Sequence, residues 1–406
     1  MITYEQARSI VAEQIGNLHA APATETVSLS EASGSGRILA RDITADRDYP
    51  PFDRSARDGY AVRAAEAFAG STLVCSGEIK AGDVPPAFSG DGTCLQIMTG
   101  APVPRGADAV VMIEYTQRNG NAVQFSRTTE VAQNVIPQAC EAKHGQIVLR
   151  AGSRMGYAEI AQAAQVGAAQ LTCARPPRVA ILSTGDEIVP YAQTPGPFQI
   201  RNSNAVSLAA QVRAAGGTPV LLGHAVDREA ELQEKISLGL REDILLLSGG
   251  VSMGKYDLVE SVLREMGAKF FFDAVAIRPG KPAVFATCQG KPVFGLPGNP
   301  VSTMVTFELF VAPAIDLLSG APMRPLPLVE VILGEDLHEK RGMTHFLPAH
   351  VEWPANAVAK VRALRWQGSG DIGAMVQANC FLVVAPELEH VPAGTRMPII
   401  LRRDVV

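Results

Sequence analysis

The 406-residue chain lacks the features that mark several large classes of protein. It has no lysine- or arginine-rich run, and its formal net charge is −5, so its electrostatics give no reason to expect nucleic-acid binding. Its six cysteines are scattered without a Cys-x-x-Cys pair, which argues against a disulfide framework or a zinc site and fits a reducing cytosol. The N-terminus carries no signal-peptide pattern. We therefore expect a cytoplasmic globular protein that does not bind nucleic acid.

Hydrophobic runs suited to a membrane span are absent as well. The most apolar long stretch, residues 301–318, contains Glu308 and Asp316 and predicts a buried helix. Residues 1–16 place apolar side chains at helical spacing with charges between them, which predicts an amphipathic surface helix. No internal repeat and no low-complexity segment occurs.

Proline-rich joints divide the chain at residues 174–177 and 321–327, and more weakly at 49–52, because prolines on this scale end regular structure. We expect a multidomain fold of α/β plus β type, in four parts: a helical linker domain (1–45 and 147–174), a mostly β domain (46–146), a doubly wound α/β domain (175–322) and a small C-terminal β-barrel (323–406). Helix-like residues 157–166 are expected to pack with the N-terminal helix. Short runs bounded by turn residues predict strands at 71–75, 93–98, 109–113, 122–125, 328–333, 350–353, 380–384 and 397–401.

Three apolar runs in the α/β part suit buried parallel strands, namely Arg178–Leu182, Ile244–Leu247 and Pro292–Leu296. Each is followed by a turn of glycine and polar residues: Ser183-Thr184-Gly185-Asp186-Glu187, Ser248-Gly249-Gly250 and Pro297-Gly298-Asn299-Pro300-Val301-Ser302. Glycines let a ligand approach the backbone, and a helix start offers free N–H groups to an anion. Asn299 as N-cap and Pro300 at the first helical position mark such a start. Because ligands bind beyond the carboxyl ends of strands in open α/β sheets, the three turns predict one polar site for a phosphorylated small molecule.

Each of these motifs also has a purely structural explanation. Ser-Gly-Gly can be only a strand-to-helix turn, and Pro-Gly-Asn-Pro only a break in the chain. Asp58 suits a turn and Lys281 suits a solvated loop. Asp257 suits the second turn of a helix, where its charge favours the helix dipole, and the periodic apolar residues from 258 to 266 predict that helix. The shared position of the three motifs after apolar strands, within one segment of domain size, favours a site.

Six stretches, in order along the chain, carry a resemblance to a known family. They are Pro50-Pro-Phe-Asp-Arg-Ser-Ala-Arg-Asp-Gly-Tyr-Ala-Val62, Ile97-Met-Thr-Gly-Ala-Pro-Val-Pro104, Thr184-Gly-Asp-Glu187, Ser248-Gly-Gly-Val-Ser-Met-Gly254, Arg278-Pro-Gly-Lys-Pro282 and Gly295-Leu-Pro-Gly-Asn-Pro-Val-Ser302. The chain resembles, nearly end to end, the molybdopterin molybdotransferases, which act at the last step of molybdenum cofactor synthesis and are related to the E domain of gephyrin.

The resemblance implies an elongated homodimer of four-domain subunits, in which the central α/β domain binds molybdopterin. The site is expected where the glycine-rich edge of that domain meets the second domain of the partner subunit. The implied reaction takes adenylylated molybdopterin and molybdate and, with Mg2+, releases AMP and the metallated cofactor. Besides these small-molecule substrates, the molybdopterin adenylyltransferase and recipient molybdoenzymes are the implied protein partners, and no membrane is involved.

The same resemblance carries over to particular residues. It implies catalytic roles for Asp58, Thr99, Asp186, Glu187, Asp257 and Lys281, and Mg2+ binding by Asp186, Glu187 and Asp257. It implies contacts with the cofactor precursor for Gly185, Ser248, Gly249, Gly250, Ser252, Arg278, Pro297, Gly298, Asn299, Pro300, Ser302 and Ser369. The residue types suit these tasks, because arginine and lysine hold oxyanions by charge-assisted hydrogen bonds and Mg2+ takes few carboxylates while keeping several waters. Positioning and charge neutralisation can carry phosphoryl chemistry without a covalent nucleophile.

The chain departs from the family pattern mainly at charged positions. The departures are Arg54 for Asn, Arg57 for Met, Glu141 for Asp, Lys255 for an acidic residue, Arg278 for Lys, and the loss of several arginines from residues 134–141. In addition, Pro348 stands where the family has an arginine associated with oxyanion binding, and proline has no side-chain donor. Arg278 and, when protonated, His345 are the expected compensating cations, and Ser369 keeps the family's small polar group.

Two functions of different classes fit these observations. One is an active molybdenum insertase, which we favour. The other is a non-catalytic paralogue that binds molybdopterin or a related nucleotide and acts as a carrier or scaffold. A Rossmann-type dehydrogenase is disfavoured, because no Gly-x-Gly-x-x-Gly opens the first βα unit.

Overall fold

The protein is described by a computed structural model that covers residues 1–18, 22–33, 36–250 and 258–404. Ser252, Lys255 and Asp257 lie outside the described residues. The helices are α1 (Tyr4–Asn17), α2 (Leu29–Ala32), α3 (Tyr157–Gln165), α4 (Ser203–Ala214), α5 (Glu229–Gly239), α6 (Leu258–Glu265), α7 (Pro300–Thr306), α8 (Ala312–Leu318) and α9 (Ile372–Gln377). Single 3-10 turns occur at Ala64–Glu66 and Ile113–Tyr115.

The first 174 residues build a six-stranded sheet and a smaller connecting unit. Their strands are β1 (Thr24–Ser28), β2 (Ile43–Thr44), β3 (Arg54–Ser55), β4 (Gly59–Val62), β5 (Thr72–Ile79), β6 (Thr93–Ile97), β7 (Ala109–Met112), β8 (Thr116–Asn119), β9 (Ala122–Phe125), β10 (Val135–Ile136), β11 (Ile147–Leu149) and β12 (Gln170–Ala174). The six-stranded sheet has the order β7-β4-β6-β5-β9-β8, and β1–β12, β2–β11 and β3–β10 form separate antiparallel pairs. The four strands predicted in this part are confirmed.

Helix α1 is capped by a reciprocal pair, in which Thr3 binds the backbone of Gln6 and Gln6 binds that of Thr3. Its apolar face does not meet α3, so the expected packing of these two helices is wrong. Instead Ala7, Val11 and Ile15 are fully buried against α8 and the segment before it. Helix α3 packs with α2 and β11 in a separate small core. Periodicity identified the buried face of α1, but it carries no information about the partner of that face.

The next segment forms a second six-stranded sheet with helices on both faces. The strands of this segment are β13 (Arg178–Thr184), β14 (Ile188–Val189), β15 (Ile200–Arg201), β16 (Thr218–Ala225), β17 (Ile244–Ser248), β18 (Lys269–Phe272), β19 (Ile277–Arg278), β20 (Val284–Cys288) and β21 (Lys291–Leu296). Six of them form the sheet, whereas β14 and β15 form a separate parallel pair and β19 pairs elsewhere. The sheet order is β16-β13-β17-β21-β20-β18, with a parallel core from β16 to β21 and two antiparallel strands at the other edge.

Alternate strand residues of this sheet face opposite helical layers, as the period of two requires. Leu246 faces the layer of α1, α4, α7 and α8, whereas Leu245 and Leu247 face α5 and α6. The predicted doubly wound α/β architecture is thereby confirmed. The three parallel strands that the sequence indicated, β13, β17 and β21, lie side by side.

The predicted buried helix is α7 and α8 joined by a π-helical turn at Phe307–Val311. Pro300–Leu318 is long and apolar enough to cross a membrane, but 78% of this stretch is buried inside the protein. Glu308, in the π-helical turn, stays within reach of solvent and pairs with Arg403 at 2.6 Å. The stretch is a core helix of the α/β unit, as predicted.

The C-terminal strands are β22 (Leu328–Leu333), β23 (Leu337–His338), β24 (Thr344–Glu352), β25 (Lys360–Ala363), β26 (Cys380–Val384), β27 (His390–Val391) and β28 (Arg396–Leu401). Five of them close into the predicted barrel, in the order β24-β25-β22-β28-β26 with β26 pairing back to β24. The run predicted at 350–353 is only the end of β24. Strand β19 leaves the α/β sheet and pairs with β24, placing Arg278 opposite His345.

A buried carboxylate joins these units. Asp316 of α8 is 1% exposed and accepts hydrogen bonds from Arg154 at 2.6 Å and from two nitrogens of Arg324 at 2.7 and 2.8 Å. Arg154 lies between β11 and α3, and Arg324 lies in the proline-rich segment before the barrel. Arg8 of α1 donates to the carbonyl of Arg324 at 3.0 Å. One side chain thus ties the N-terminal units, the α/β unit and the start of the barrel.

Candidate functional site

The carboxyl ends of β13, β17 and β21 form one edge of the α/β sheet. Ser183 pairs in register with Ser248, and Ser248 with Leu296, so the three following turns are immediate neighbours. Gly249 and Gly250 have positive φ angles of 88° and 59°. A Cβ at these positions would lie 2.6 Å from the Thr184 carbonyl oxygen and 2.4 Å from Thr184 Oγ1. Only glycine therefore lets this turn lie against β13.

The three turns open onto a cleft of about 710 Å³. Its lining is mainly polar and comes from β13 to β15, from the start of α4, from the three turns and from the loop before α9. The lining residues are Ser183, Thr184, Gly185, Glu187, Ile188, Ile200, Arg201, Asn202, Ser203, Asn204, Asp227, Ser248, Gly249, Gly250, Pro282, Pro297, Gly298, Asn299, Pro300, Gly370 and Ile372. Of the predicted cofactor contacts, this brings together Gly185, Ser248, Gly249, Gly250, Pro297, Gly298, Asn299 and Pro300.

The predicted start of α7 is correct in position but differs in detail. Asn299 is the N-cap residue and Pro300 follows it, yet the Asn299 side chain makes no capping hydrogen bond. Thr303 instead donates its hydroxyl to the carbonyls of Pro297 and Asn299 at 2.5 and 3.0 Å. The amide of Val301 donates to the carbonyl of Ser369 at 2.9 Å. The Asn299 side chain is therefore left facing solvent at the cleft.

Three carboxylates meet at the end of β13 and β16. Glu187 and Asp227 line the cleft, and Asp186 Oδ1 accepts the backbone N–H of Asp227 at 3.2 Å. Desolvation, with the nearby charges of Asp186 and Glu187, raises the pKa of Asp227. Asp227 was not predicted. A raised carboxyl pKa beside two other acids indicates a place that a cation would stabilise.

These carboxylates do not form a closed metal cage, since the described residues contain no group of three His, Cys, Asp or Glu arranged to hold a metal ion. An open site with one or two carboxylates is the type that Mg2+ uses with phosphate substrates. One or two of the carboxylates of Asp186, Glu187 and Asp227 would match that number of protein ligands. The third predicted metal ligand, Asp257, lies outside the described residues.

Asn204, also not predicted, joins two of the turns. Its Nδ2 donates to Ser248 Oγ at 2.9 Å and to the carbonyl of Gly298 at 2.7 Å. Its neighbour Asn202 caps α4 by accepting the amide of Ala205, and also pairs with the hydroxyl of Ser183. The sequence around Asn202 and Asn204 can indicate a helix start, but it does not indicate that Asn204 contacts the two turns.

Three predicted residues of the α/β unit do not line the cleft. Ser302 is 4% exposed, in the first turn of α7. Lys281 is exposed in the loop beside Pro282, and only its carbonyl has a described partner, the amide of Val275. Arg278 is half exposed, with Nη1 3.5 Å from Glu339 Oε2. Among the described lining residues, the one lysine or arginine is Arg201.

His345 does not face the cleft either. It is 1% exposed, and its Nδ1 lies 2.8 Å from Oε2 of Glu339. This contact, together with Arg278, holds the pKa of Glu339 below its usual value. The expectation that His345 supplies a substrate-binding cation is therefore wrong, because the ring is buried in the barrel against a carboxylate.

Asp58 and Thr99 lie together in the N-terminal β unit and not at the cleft. The backbone N–H and the hydroxyl of Thr99 donate to Asp58 Oδ1 at 2.6 and 2.7 Å, and these bonds lower the pKa of Asp58. Both residues are exposed. We refer to them as the Asp58–Thr99 pair.

Two of the departures from the family pattern meet near this pair. Arg54 Nη2, on β3, and Glu141 Oε1, in the loop after β10, form an ion pair of 2.6 Å. Arg57, next to Asp58, is exposed. Pro348 is buried within β24, where its carbonyl accepts the amide of Leu364 at 2.9 Å.

Glycine turns beyond parallel strands, neighbouring carboxylates and a helix start are the features with which α/β proteins of the class that binds ligands at a sheet edge build their sites. Comparison with known families narrows this class. Residues 2–167 match the MoeA N-terminal region (domain I and II), residues 180–317 a probable molybdopterin binding domain, and residues 330–401 the MoeA C-terminal region (domain IV).

Individual relatives agree over most of the chain. Proteins named molybdopterin molybdenumtransferase are 34% identical in Haemophilus influenzae, covering 98% of this chain and 98% of that protein, and 38% identical in Nostoc sp., covering 83% and 79%. The crystal structure of a molybdopterin biosynthesis moeA protein from Pyrococcus horikoshii OT3 has a TM-score of 0.82, with 28% identity, covering 99% of this chain and 100% of that one. The chain belongs to the MoeA family.

Proposed function

We propose that the protein inserts molybdenum into molybdopterin, as a molybdopterin molybdenumtransferase of molybdenum cofactor biosynthesis. The observation that carries this proposal is the polar cleft at the carboxyl ends of β13, β17 and β21, in a chain whose relatives of that name match it from end to end. In detail, adenylylated molybdopterin and molybdate react, and AMP and the metallated cofactor leave.

The phosphate groups of the substrate are proposed to bind at the glycine turns. Gly249, Gly250 and Gly298 let an anion approach the main chain closely, and the hydroxyl of Ser248 and the amide of Asn299 supply side-chain partners. Arg201 adds a positive charge at the cleft wall. Lys281 and Ser369 stay candidates for the molybdate end, because they adjoin the lining residues Pro282 and Gly370 in the chain. Arg278, at the end of β19, is a third candidate because its side chain is half exposed.

Asp186, Glu187 and Asp227 are proposed to hold Mg2+, with Asp257 as a further candidate ligand. Bound there, the ion would neutralise the phosphate charge that develops as AMP leaves. The raised pKa of Asp227 supports this assignment, since a cation would relieve the repulsion among the three carboxylates.

The Asp58–Thr99 pair is proposed to act on the cleft of a second subunit in a homodimer. Both residues are exposed and their carboxylate is held ionised by two hydrogen bonds, but neither lines the cleft of its own chain. A trans arrangement brings the two sets of residues together. We further propose that the dimer works in the cytosol, where the six free thiols stay reduced, and exchanges substrate and product with the molybdopterin adenylyltransferase and recipient molybdoenzymes.

One observation favours the alternative of a non-catalytic carrier or scaffold. Pro348 is part of β24 and offers only a carbonyl that is already bonded to Leu364, so this position supplies no donor to an oxyanion. A carrier would keep the cleft and its affinity for the cofactor precursor without turnover.

The test is an insertion assay with purified protein, adenylylated molybdopterin, molybdate and Mg2+, in which AMP release is measured alongside binding of the adenylylated substrate. Molybdate-dependent AMP release supports the insertase. Binding without AMP release, even at millimolar molybdate, replaces it with the carrier. Asp273→Asn, a change at an exposed residue outside the cleft, serves as the control for protein handling.

A further inference from the structure

The Ser248 hydroxyl is held by an atom that can only donate, the amide nitrogen of Asn204. Asn204 Nδ2 lies 2.9 Å from Ser248 Oγ and 2.7 Å from the Gly298 carbonyl oxygen. A carbonyl only accepts, so the Asn204 atom facing Gly298 has to be the NH2 group, and this fixes the orientation of the whole amide. Ser248 Oγ is then the acceptor of the second amide proton.

This arrangement decides where the Ser248 proton goes. Because its oxygen already accepts from Asn204, the hydroxyl has to donate its own proton elsewhere. Ser248 is 3% exposed and lines the cleft, and no described residue accepts that proton. In the open cleft this proton is available to a water molecule or to an oxygen of a bound ligand.

Asn204 also sets the distance between the two turns. The turn of Gly249 and the turn of Gly298 are already in contact, with Gly249 N–H donating to the Leu296 carbonyl at 3.2 Å. A Cβ on Gly298 would lie 3.6 Å from the Gly249 Cα. By bonding to Ser248 on one side and Gly298 on the other, the first turn of α4 holds both turns at one spacing.

We propose that Asn204 is a positioning residue of the cleft, which fixes Ser248 as a hydrogen-bond donor to a phosphate oxygen of the substrate and holds the Gly298 turn beside it. This inference rests on the proposed function for the identity of the substrate. It assigns to Asn204 a role in binding, not in the chemical step, because Asn204 acts through Ser248 and the main chain.

Four full-length variants test this role: Asn204→Ala, Asn204→Asp, Ser248→Ala and the double variant Asn204→Ala/Ser248→Ala. The dissociation constant for adenylylated molybdopterin is measured with Mg2+ and without molybdate, and KM and kcat are measured in the insertion assay. Ser207→Ala, one turn further along α4 and outside the cleft lining, is the matched control. Thermal melting of every variant reports on folding.

We expect Asn204→Ala and Ser248→Ala each to weaken substrate binding about tenfold, which is the effect of one or two ordinary hydrogen bonds, with kcat nearly unchanged. The double variant should be little worse than either single variant, because both changes remove the same donor. Among the single variants, Asn204→Asp should bind the substrate most weakly, since a carboxylate accepts the Ser248 proton and adds negative charge beside the phosphate.

Binding by Asn204→Ala within twofold of the wild type, or full additivity of the two alanine changes, overturns the proposal. If Asn204→Ala melts far below Ser207→Ala, Ser248→Ala decides alone, because it leaves the Gly298 contact in place. A wild type that binds substrate but releases no AMP overturns the insertase and leaves the binding test valid. A wild type that does not bind overturns both proposals.

Discussion

The cleft of the α/β unit and the Asp58–Thr99 pair lie in different units and are built in different ways. At the cleft, three strand ends, the three turns that follow them and the start of α4 surround a volume of about 710 Å³. Around Asp58, two hydrogen bonds from Thr99 orient a carboxylate that stays exposed. A single chain encloses the cleft on several sides, whereas it leaves the Asp58–Thr99 pair open to solvent.

This difference indicates how the work is divided. A walled cleft with backbone donors suits binding and orientation of a large substrate. The lowered pKa of Asp58 keeps this exposed carboxylate ionised. Its electrostatic effect on a reacting group becomes large only where water is excluded. A second subunit that covers it would supply that exclusion.

The largest effect is expected where the two units are joined, at Asp316. Asp316→Ala leaves Arg154 and Arg324 without their shared carboxylate, and breaking a buried pair in this way costs about 3 kcal/mol, at the lower end because both arginines are partly exposed. The melting temperature should fall clearly relative to Asp273→Ala, an exposed control. An unchanged melting temperature would show that packing alone holds the units together.

The next largest effects are expected from one alanine substitution at each site, Asp58→Ala in the Asp58–Thr99 pair and Asp227→Ala in the cleft. Asp58→Ala should keep the wild-type melting temperature, because the residue is exposed, and should lower the rate of AMP release about 100-fold, as is common for loss of an oriented electrostatic group. Asp227→Ala should inactivate the cleft in the same assay.

Mixing these two inactive variants tests whether the sites are completed in trans. Equal amounts that exchange subunits at random should recover about a quarter of the wild-type activity, because half of the symmetric dimers are hybrids with one intact site each. No recovery after subunit exchange, or a strictly monomeric protein in light scattering, would contradict the trans arrangement.

A smaller effect is expected from Asp227→Asn, which should raise the stability of the protein. Partial desolvation and two neighbouring acids raise the pKa of Asp227 although the residue is exposed, so its ionised form opposes folding only slightly. The variant should therefore melt higher than the wild type at neutral pH, and the difference should vanish as the pH falls through the raised pKa and the wild-type carboxyl becomes protonated.

Mg2+ should favour the wild type over Asp227→Asn. A cation that binds only the folded state raises its stability, so Mg2+ should raise the melting temperature of the wild type more than that of Asp227→Asn. Equal shifts in both proteins would remove Asp227 from the proposed metal site. Asp273→Asn is the control for general effects of charge.

The smallest effect is expected at Arg278. Its charge is already matched by Glu339 and it is half exposed, so Arg278→Gln should raise the KM for molybdate by no more than about fivefold, the size of an exposed ion pair. Glu339→Gln should leave that KM equal or lower. A much larger increase of the KM for molybdate in Arg278→Gln would place Arg278 at the molybdate site and make it the cation that compensates for Pro348.

The elements around the cleft were predictable where local chemistry determines them. Short apolar runs that end in glycine identified β13, β17 and β21, since a strand buried on both faces needs no alternation. The rule that ligands bind beyond the carboxyl ends of strands in open α/β sheets predicted one site at their turns, whereas the side-by-side order of the strands is a finding of the structure. Asn299 and Pro300 marked the helix start, although the Asn299 side chain does not cap it.

The missed residues depend on which segments become neighbours. Asp227 follows β16, whose sequence contains Pro219 and Gly223 and so does not look like a strand. Once β16 is known to lie beside β13, the rule that found Asp186 also finds Asp227. Asn204 acts through contacts with residues 44 and 94 positions away, and the burial of His345 depends on closure of the barrel, so neither has a local signal.

Strand β19 has a consequence for the modularity of the chain. Its two residues lie well before the proline-rich segment that precedes the barrel, yet they pair with β24 of the barrel. A gene cut at that proline-rich segment would therefore divide a structural unit, leaving one fragment with an unpaired strand and the other with an open edge on β24. Recombination between relatives should preserve function more often when residues 277–278 and the barrel come from the same parent.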